Sequence, residues 1–495
     1  MFFIKKAGKI KKWKINVEKL FKCCNKKLLR IKGLKMSDII KVKKIAGTDL
    51  QPTILASHAA RTCYAADVPE IGETIDVENR LFKTGHHTTL EHNYYTFNID
   101  GIPVSSVVFG LHLTAPFYNT DQRSVRFSKL YDNPDMAAIK NMLETYYPGC
   151  PESRINRACD YIENGLEVYA KNKNRVTEIA RDAIHRERPH ASEKYVEQNA
   201  PKFAQEQLRM FVSMIAPTAL DYTIDLATLF TLYRTAWTPE MRDAVNQMAE
   251  LAIHDDPKIE YMFNTTQREY VNNYAPEFFV SEKYRGIKIR PEFTLLDYKY
   301  DDKMFAENKS LDTADTLQFH PQYMNNSLMY VDTKIHVDAG ATMGQDQRHR
   351  SIQRSAPHFT GYFYLPPLLN AAGLEKDADK FMNMYYSLKA DTLSRGMILA
   401  VAPYGAMVEY NKHANLNALM HEQGKRTCWC AQEAIYHISC DLRRDLGQYI
   451  GQNAKLMKYL TPPCLSMGKC PEGPRCCGRD IIADKINGYF RQRQI

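Results

Sequence analysis

Gln345-Asp346-Gln347-Arg348-His349-Arg350 places two guanidinium groups on either side of an imidazole within three residues. Holding such charges together is costly unless an anion receives them, and the planar donor fork of arginine matches phosphate oxygens two at a time. The stretch therefore marks a phosphate or pyrophosphate. Its degenerate counterpart is Leu111-His112-Leu113, which keeps the imidazole and has leucines where the arginines stand. Thr96-Phe97-Asn98-Ile99 precedes the one as Thr333-Lys334-Ile335-His336 precedes the other. Further on, Arg209 through Pro217 lies over Arg395 through Pro403, and Arg234-Thr235-Ala236-Trp237 over Arg426-Thr427-Cys428-Trp429. Three correspondences in one order read as a tandem duplication.

Strand character is expected at Ile39–Ile45, at Tyr94–Ile99 with its β-branched and aromatic residues, and in 290–300 and 328–337. Helices are expected over Gln51–Arg61, Asp76–Thr84, 135–210, 218–254, Leu368–Leu399 and Leu416–Leu446. The elements mix without a regular strand–helix–strand alternation, and no glycine-rich phosphate loop follows a strand. The fold class is thus α+β, two tandem copies each built from a mixed or antiparallel sheet packed with helices. The expected divisions are a basic extension over 1–35, a first repeat over 36–265, a second over 266–460 and a cysteine-rich tail over 461–495.

Composition sets the outer bounds. The chain has 495 residues, 44% of them hydrophobic and 25% charged, enough for several ordinary globular domains. No run of eighteen apolar residues calls for a membrane span. Twelve cysteines without a long apolar leader fit a reducing cytoplasm. The net charge of +9 comes from the extension, where thirteen Lys/Arg face the single acid Glu18. The remainder holds 53 basic against 56 acidic residues, or −3, so neither nucleic acid nor membrane is an expected partner of the folded body. The extension itself reads as a disordered or upstream-translated segment before Met36-Ser37-Asp38, with a basic amphipathic helix as the other reading.

A second cluster, Gly85-His86-His87-Thr88-Thr89-Leu90-Glu91-His92, admits three readings from the residues alone: a solvated helix terminus, a zinc site lacking a third ligand, or a polar rim for a heteroaromatic ring. Taken with Ala59-Ala60-Arg61-Thr62-Cys63-Tyr64 and Tyr95-Thr96-Phe97, it resembles the N-terminal part of the flavin-dependent thymidylate synthases (the ThyX family). That family's G-H-x-[ST]-x-x-E-H block is followed by a strand and an R-H-R motif. In this chain His112 stands at the family's distance but lacks the arginines, and Gln345-x-x-Arg348-His349-Arg350 carries the motif with its preceding glutamine. Ser124-Val125-Arg126-Phe127 is similar to the family's S-x-R-[YF]. Asn415…Leu419…Arg426…Ala431-Gln432 is similar to N-x-x-x-L…R-x-x-x-x-A-Q.

The resemblance implies reductive methylation of dUMP to dTMP, with methylenetetrahydrofolate as carbon donor, NADPH as hydride source and FAD as cofactor. It implies that His86, Thr88, Glu91, Arg348, His349, Arg350 and Asn415 bind the flavin, and that Gln345, Ser124, Arg126, Arg395 and Arg426 address dUMP. Arg348, Arg350 and Arg426 carry the implied catalytic electrostatics. Arg395 lies eight residues before Pro403, where the family prefers four. Each copy keeps what the other has lost, so the implied assembly is a homodimer arranged as a pseudo-tetramer. Methylation of another uracil nucleotide or of uracil in RNA, and a non-catalytic nucleotide-binding protein, are the competing readings. Cys464, Cys470, Cys476 and Cys477 lack the paired spacing of a zinc knuckle and read as reduced, structural thiols, with zinc chelation as the competing reading, so no metal ligand is assigned.

Overall fold

The computed structural model describes residues 38–114, 117–124, 135–263, 283–305, 325, 327–389, 395–473, 476–480 and 493–495. The extension, the repeat boundary at 265/266, Arg126 and the Arg395 side chain lie outside the described residues. Lys41–Gly47 (β1) is lysine-bearing and mostly exposed, as suits a sheet edge. It pairs antiparallel with Tyr94–Pro103 (β2), where alternate residues Tyr95, Phe97 and Ile99 turn inward and are at most 3% exposed. Tyr118–Gln122 (β3) and Pro217–Asp225 (β4) complete a sheet ordered β1-β2-β4-β3, antiparallel throughout.

Two helical expectations change here. The segment 218–254 begins as strand β4, because Thr218, Tyr222, Thr223 and Ile224 suit a pleated surface and find ladder partners on β2 and β3. Helices follow only at Leu226–Thr235 and Pro239–Asp255. The helix expected over Asp76–Thr84 shrinks to one wide turn, Glu78–Phe82. Asp76 binds the backbone and side-chain amides of Asn79, a local closure that competes with a longer helix.

The second sheet comprises Gly286–Lys288 (β5), Glu292–Lys299 (β6), Tyr330–Asp338 (β7), Gln353–Arg354 (β8), His358–Tyr364 (β9) and Ala406–Asn415 (β10). Its order is β5-β9-β10-β7-β6, with β8 also on β10 and β5 running parallel to β9. The path β6-β7-β10-β9 repeats β1-β2-β4-β3 strand for strand, and each neighbouring pair is antiparallel. The ends of β4 and β10 match in detail. Asp225 caps the 226–235 helix through Thr228 N, and Asn415 caps the 416–426 helix through Ala418 N.

The segments entering β4 and β10 meet each other. Ser213 and Pro403 form an antiparallel bridge, flanked by Met214 N to Ala402 O at 2.7 Å and Tyr404 N to Val212 O at 2.8 Å. Each bridge residue opens the turn into its own strand, so Ser213 is the counterpart of Pro403. The sequence overlay of Arg209–Pro217 on Arg395–Pro403 therefore slips by four residues. A residue paired antiparallel with its own counterpart is what a local two-fold axis requires. The 36-residue helix Glu152–Glu187 then crosses the seam. Tyr161 stacks on Phe381 at 4.7 Å, and Arg154 binds Leu388 O at 2.7 Å. At Gly165 a Cβ would come within 2.1 Å of Phe211 O, so only glycine lets the helix lie this close. Apolar residues of both halves, Phe97, Phe109 and Phe211 with Phe363, Phe381 and Met407, fall into one core.

A smaller polar knot lies inside the second half. Asp346, fully buried, accepts from Arg354 Nε at 2.5 Å, Lys412 Nζ at 2.6 Å and Tyr410 OH at 2.9 Å. Lys412 also binds Glu422 at 2.6 Å, so two carboxylates face two cations. Burial alone would raise Asp346, but the Arg354 and Lys412 cations outweigh it and hold its carboxyl well below the usual range. Burial and the adjoining Asp346 push Glu422 the other way. Removing one member strands its partners, so Asp346→Ala should lower unfolding free energy by about 3–5 kcal/mol in chemical denaturation. A loss within about 1 kcal/mol, the range of an exposed pair, would show the knot to be dispensable. The depressed carboxyl contributes stability that is full above the unfolded carboxylate pKa and lost as pH falls through the folded one. Wild-type stability should thus drop more steeply below about pH 4 than that of Asp346→Asn.

Candidate functional site

The short helix Thr342–Asp346 begins where Asp338 accepts from Ala341 N and Thr342 N, both at 2.8 Å, and it ends at the knot. The next residues alternate in exposure: Gln347 and His349 are buried, while Arg348 and Arg350 face outward. Arg354 enforces this. Its guanidinium binds Asp346 O at 2.5 Å, His349 O at 3.1 Å and Ile352 O at 2.9 Å, fixing the loop from inside.

His349 receives Arg426 Nε at 2.8 Å on its Nε2. A guanidinium N–H can only donate, so Nε2 accepts and the proton of the neutral ring sits on Nδ1. Burial and then the Arg426 cation hold His349 well below its ordinary value, which keeps it neutral. Nδ1 is buried and has no acceptor among the described residues. Arg426 also donates to Gln345 O at 2.6 Å, and Gln345 Nε2 reaches Gln432 Oε1 at 2.7 Å. The same Gln432 oxygen accepts Arg209 Nη2 at 2.6 Å, so an arginine of the first half joins a constellation of the second. Arg209 was read only as a repeat marker. Its distance of four residues to Ser213, the counterpart of Pro403, is the family spacing that Arg395 lacks, and serine in place of proline hid it.

The degenerate motif lies beside the intact one. His112 stacks on Tyr118 with ring centres 5.0 Å apart and planes 5° from parallel, and Arg350 sits 5.7 Å over the other ring partner, Tyr118. Tyr118 OH lies 3.3 Å from both His112 O and Gln347 O, and Gln347 Nε2 donates to Val108 O at 2.8 Å. Burial, followed by the Arg348 charge, pushes His112 down to about 3 against a weaker opposing pull from the Gln347 side chain.

The other predicted residues distribute differently. In the His/Thr/Glu block, His87, Thr89 and Leu90 pack inward, His87 lying 5.1 Å from the Phe230 ring, while His86, Thr88 and Glu91 are exposed. His86 shares a pocket of about 450 Å³ with Arg61, Tyr64 and Arg80. No described hydrogen bond or ion pair joins His86, Thr88 or Glu91 to the Arg348–Arg350 turn. Asn415 stands at the opposite end of an 11-residue helix from Arg426, about 16 Å away, with its side-chain oxygen engaged as the cap. Ser124 is half-buried just beyond β3. Among the described residues no three His, Cys, Asp or Glu side chains converge as a metal would need, and no helix is long and apolar enough to cross a membrane.

The donor set suits a flavin: two exposed guanidiniums for phosphate oxygens, and between them a buried ring N–H with no acceptor among the described residues. Because both imidazoles are held neutral by burial and arginine neighbours, His112 and His349 should show no titration between pH 5 and 8 in NMR. A midpoint near 6.5 for either would mean that its ring is solvated.

Residues 46–258 match the family model Thy1, described as thymidylate synthase complementing protein. Among solved structures, the chain is similar to thymidylate synthase X from Helicobacter pylori, solved with FAD and dUMP. Identity is 17%, coverage 47% of this chain and 97% of that one, and the TM-score 0.27. It is also similar to the UMP/dUMP methylase PolB from Streptomyces cacaoi bound with 5-Br UMP, at 15% identity, 48% and 99% coverage, and a TM-score of 0.32. No curated protein sequence matches the chain. The matched residues 46–258, less than half of the chain, carry β2 to β4 and the His/Thr/Glu block, and over that span the chain is similar to the thymidylate synthase complementing proteins.

Proposed function

We propose that this chain is an FAD-dependent thymidylate synthase that methylates dUMP to dTMP, with methylenetetrahydrofolate as carbon donor and NADPH as reductant. The observation that carries this reading is the neutral His349, whose unpartnered Nδ1–H lies between two exposed arginines and is held by Arg426. FAD, when bound, supplies the hydride that completes the methyl group. The chain's residues bind, orient and polarise around it. Arg348 and Arg350 receive phosphate oxygens, and His349 offers one fixed ring donor to a carbonyl or ring nitrogen. Gln345 and Arg426 address the pyrimidine, where a guanidinium near a carbonyl stabilises the enolate charge that develops as C5 turns nucleophilic. Arg209 reinforces that edge through Gln432. His86, Thr88 and Glu91 supply the opposite rim.

The chain is, on this reading, a tandem duplication whose halves have divided the site between them, supported by the recurring strand order and the Ser213–Pro403 bridge. Since no hydrogen bond or ion pair among the described residues joins the rim to the arginine turn, two chains would bring them together as a pseudo-tetramer. Gel filtration of active protein should then give about twice the 57.1 kDa of one chain. Full activity from a monomer would overturn the shared-site arrangement.

Purified protein should be yellow and release FAD on denaturation. With dUMP, methylenetetrahydrofolate and NADPH it should form dTMP, and Arg348→Ala should reduce kcat roughly 10²–10³-fold, the scale seen when one preorganised donor is removed. Formation of no dTMP, together with failure to rescue a thymidine auxotroph, would sink the assignment. UMP run in parallel separates thymidylate synthesis from methylation of another uracil nucleotide.

A further inference from the structure

A pocket of about 570 Å³ opens along the seam, away from Gln345, His349 and Arg426, none of which lines it. Its walls come from the end of the long 152–187 helix (Arg186, Glu187), the segment before β6 (Arg290), Trp429, and the last described segment (Arg493). That is a volume typical of small-molecule sites, set where separate elements converge. No residue of this pocket takes part in the methylation reading.

Arg493 is 2% exposed. One Nη2 hydrogen goes to Ala431 O, and the guanidinium lies 4.5 Å from the Tyr436 ring. Its Nε and Nη1 have no acceptor among the described residues. A buried cation with two idle donors is an unstable arrangement unless an anion completes it. A second guanidinium sharpens the demand. Arg188, 1% exposed, binds Trp429 O at 3.2 Å and Ile495 O at 3.3 Å close behind. Burial, and then this neighbour, push Arg493 down from its usual value.

Nearby acids do not supply the missing partner. Glu187 accepts Gln494 N at 2.8 Å, its other oxygen has no donor among the described residues, and burial pushes its carboxyl up toward the neutral form. Glu433 is engaged by Tyr364 OH at 2.7 Å, and the charge of Glu206 only partly offsets the burial of Arg493. At the mouth, Arg186 is exposed and gives one nitrogen to Gln494 Oε1. Arg290 is half-exposed and lies 4.0 Å from Asp441, a carboxylate that Arg444 already binds at 2.6 Å.

We propose that this seam pocket is a second anion site, taking the phosphate or carboxylate end of a small organic molecule onto Arg493, with Arg186 and Arg290 drawing it in. The site is distinct from the Arg348–Arg350 turn and does not depend on what that turn binds. The test titrates inorganic pyrophosphate calorimetrically into the full chain, then into Arg348→Ala, Arg493→Gln and the double variant Arg186→Gln/Arg290→Gln. Pyrophosphate binding at this pocket should persist in Arg348→Ala, which removes only the turn's own share, should weaken at least tenfold in the double variant, and should be lost in Arg493→Gln. Both residues of the double variant reach solvent, so its thermal midpoint should be unchanged and its result stands even if Arg493→Gln does not fold. Succinate in place of pyrophosphate identifies the source: tighter succinate binding marks a carboxylate end, tighter pyrophosphate a phosphate end. The proposal falls if neither anion binds, or if Arg348→Ala abolishes binding while the double variant leaves it intact.

Discussion

Asp346 is the residue on which the second half turns. Its buried carboxylate takes hydrogen bonds from Arg354, Lys412 and Tyr410, drawing together a loop, two neighbouring strand positions and, through Lys412, the helix that ends at Arg426. A buried ion pair seldom adds stability over an apolar replacement, since desolvation cancels most of the attraction. What such a knot does supply is position. Arg354 grips Asp346 O, His349 O and Ile352 O at once, so the loop has one conformation, with His349 inside and its two arginines outside. An imidazole thus fixed can present one chosen nitrogen, and the pair Arg426–His349 chooses Nδ1.

The two-fold relation at Ser213 and Pro403 explains why the halves cannot be read as separate modules. Strands β4 and β10 start from backbone that is already hydrogen-bonded to the other half, and the apolar faces of both sheets share a core. Helix 152–187 extends about 54 Å and closes over the join. The consequence for chemistry is direct. Arg209 on one half and Gln345 on the other converge on a single Gln432 oxygen, so loss of either half would dismantle the site.

Legibility followed locality. The period-two pattern gave away β2 and β7, whereas the block at His86–Glu91 left three readings open. Strand β4 was misread because the strongly helical stretch after Asp225 extends its apolar pattern backward, and only pairing with β2 and β3 decides otherwise. The knot had no local signal at all: Asp346, Arg354, Lys412 and Glu422 become neighbours only when β10 is laid down. Arg209 was visible through its spacing, yet the spacing has meaning only once Ser213 is known to stand opposite Pro403. The role of Gln432, quoted in a motif, needed Arg209 and Gln345 to be seen together.

Leu111-His112-Leu113 is best understood as the electrostatic consequence of this arrangement. The two-fold relation sets the 112 turn against the 349 turn, with Tyr118 between His112 and Arg350. Arginines at 111 and 113 would add two guanidiniums to a region already holding Arg348 and Arg350. Like charges about 6 Å apart repel by roughly 3 kcal/mol each at an effective dielectric near 20. One copy of the motif can be satisfied by one anion, whereas two facing copies need two. Leucine removes that conflict, and Leu111, now fully buried, joins the core instead. The imidazole of His112 survives because it does something leucine cannot: as a neutral ring it stacks on Tyr118, whose hydroxyl reaches the backbone of both turns. The 112 turn thereby braces the 349 turn, and the asymmetry between the halves follows from their proximity.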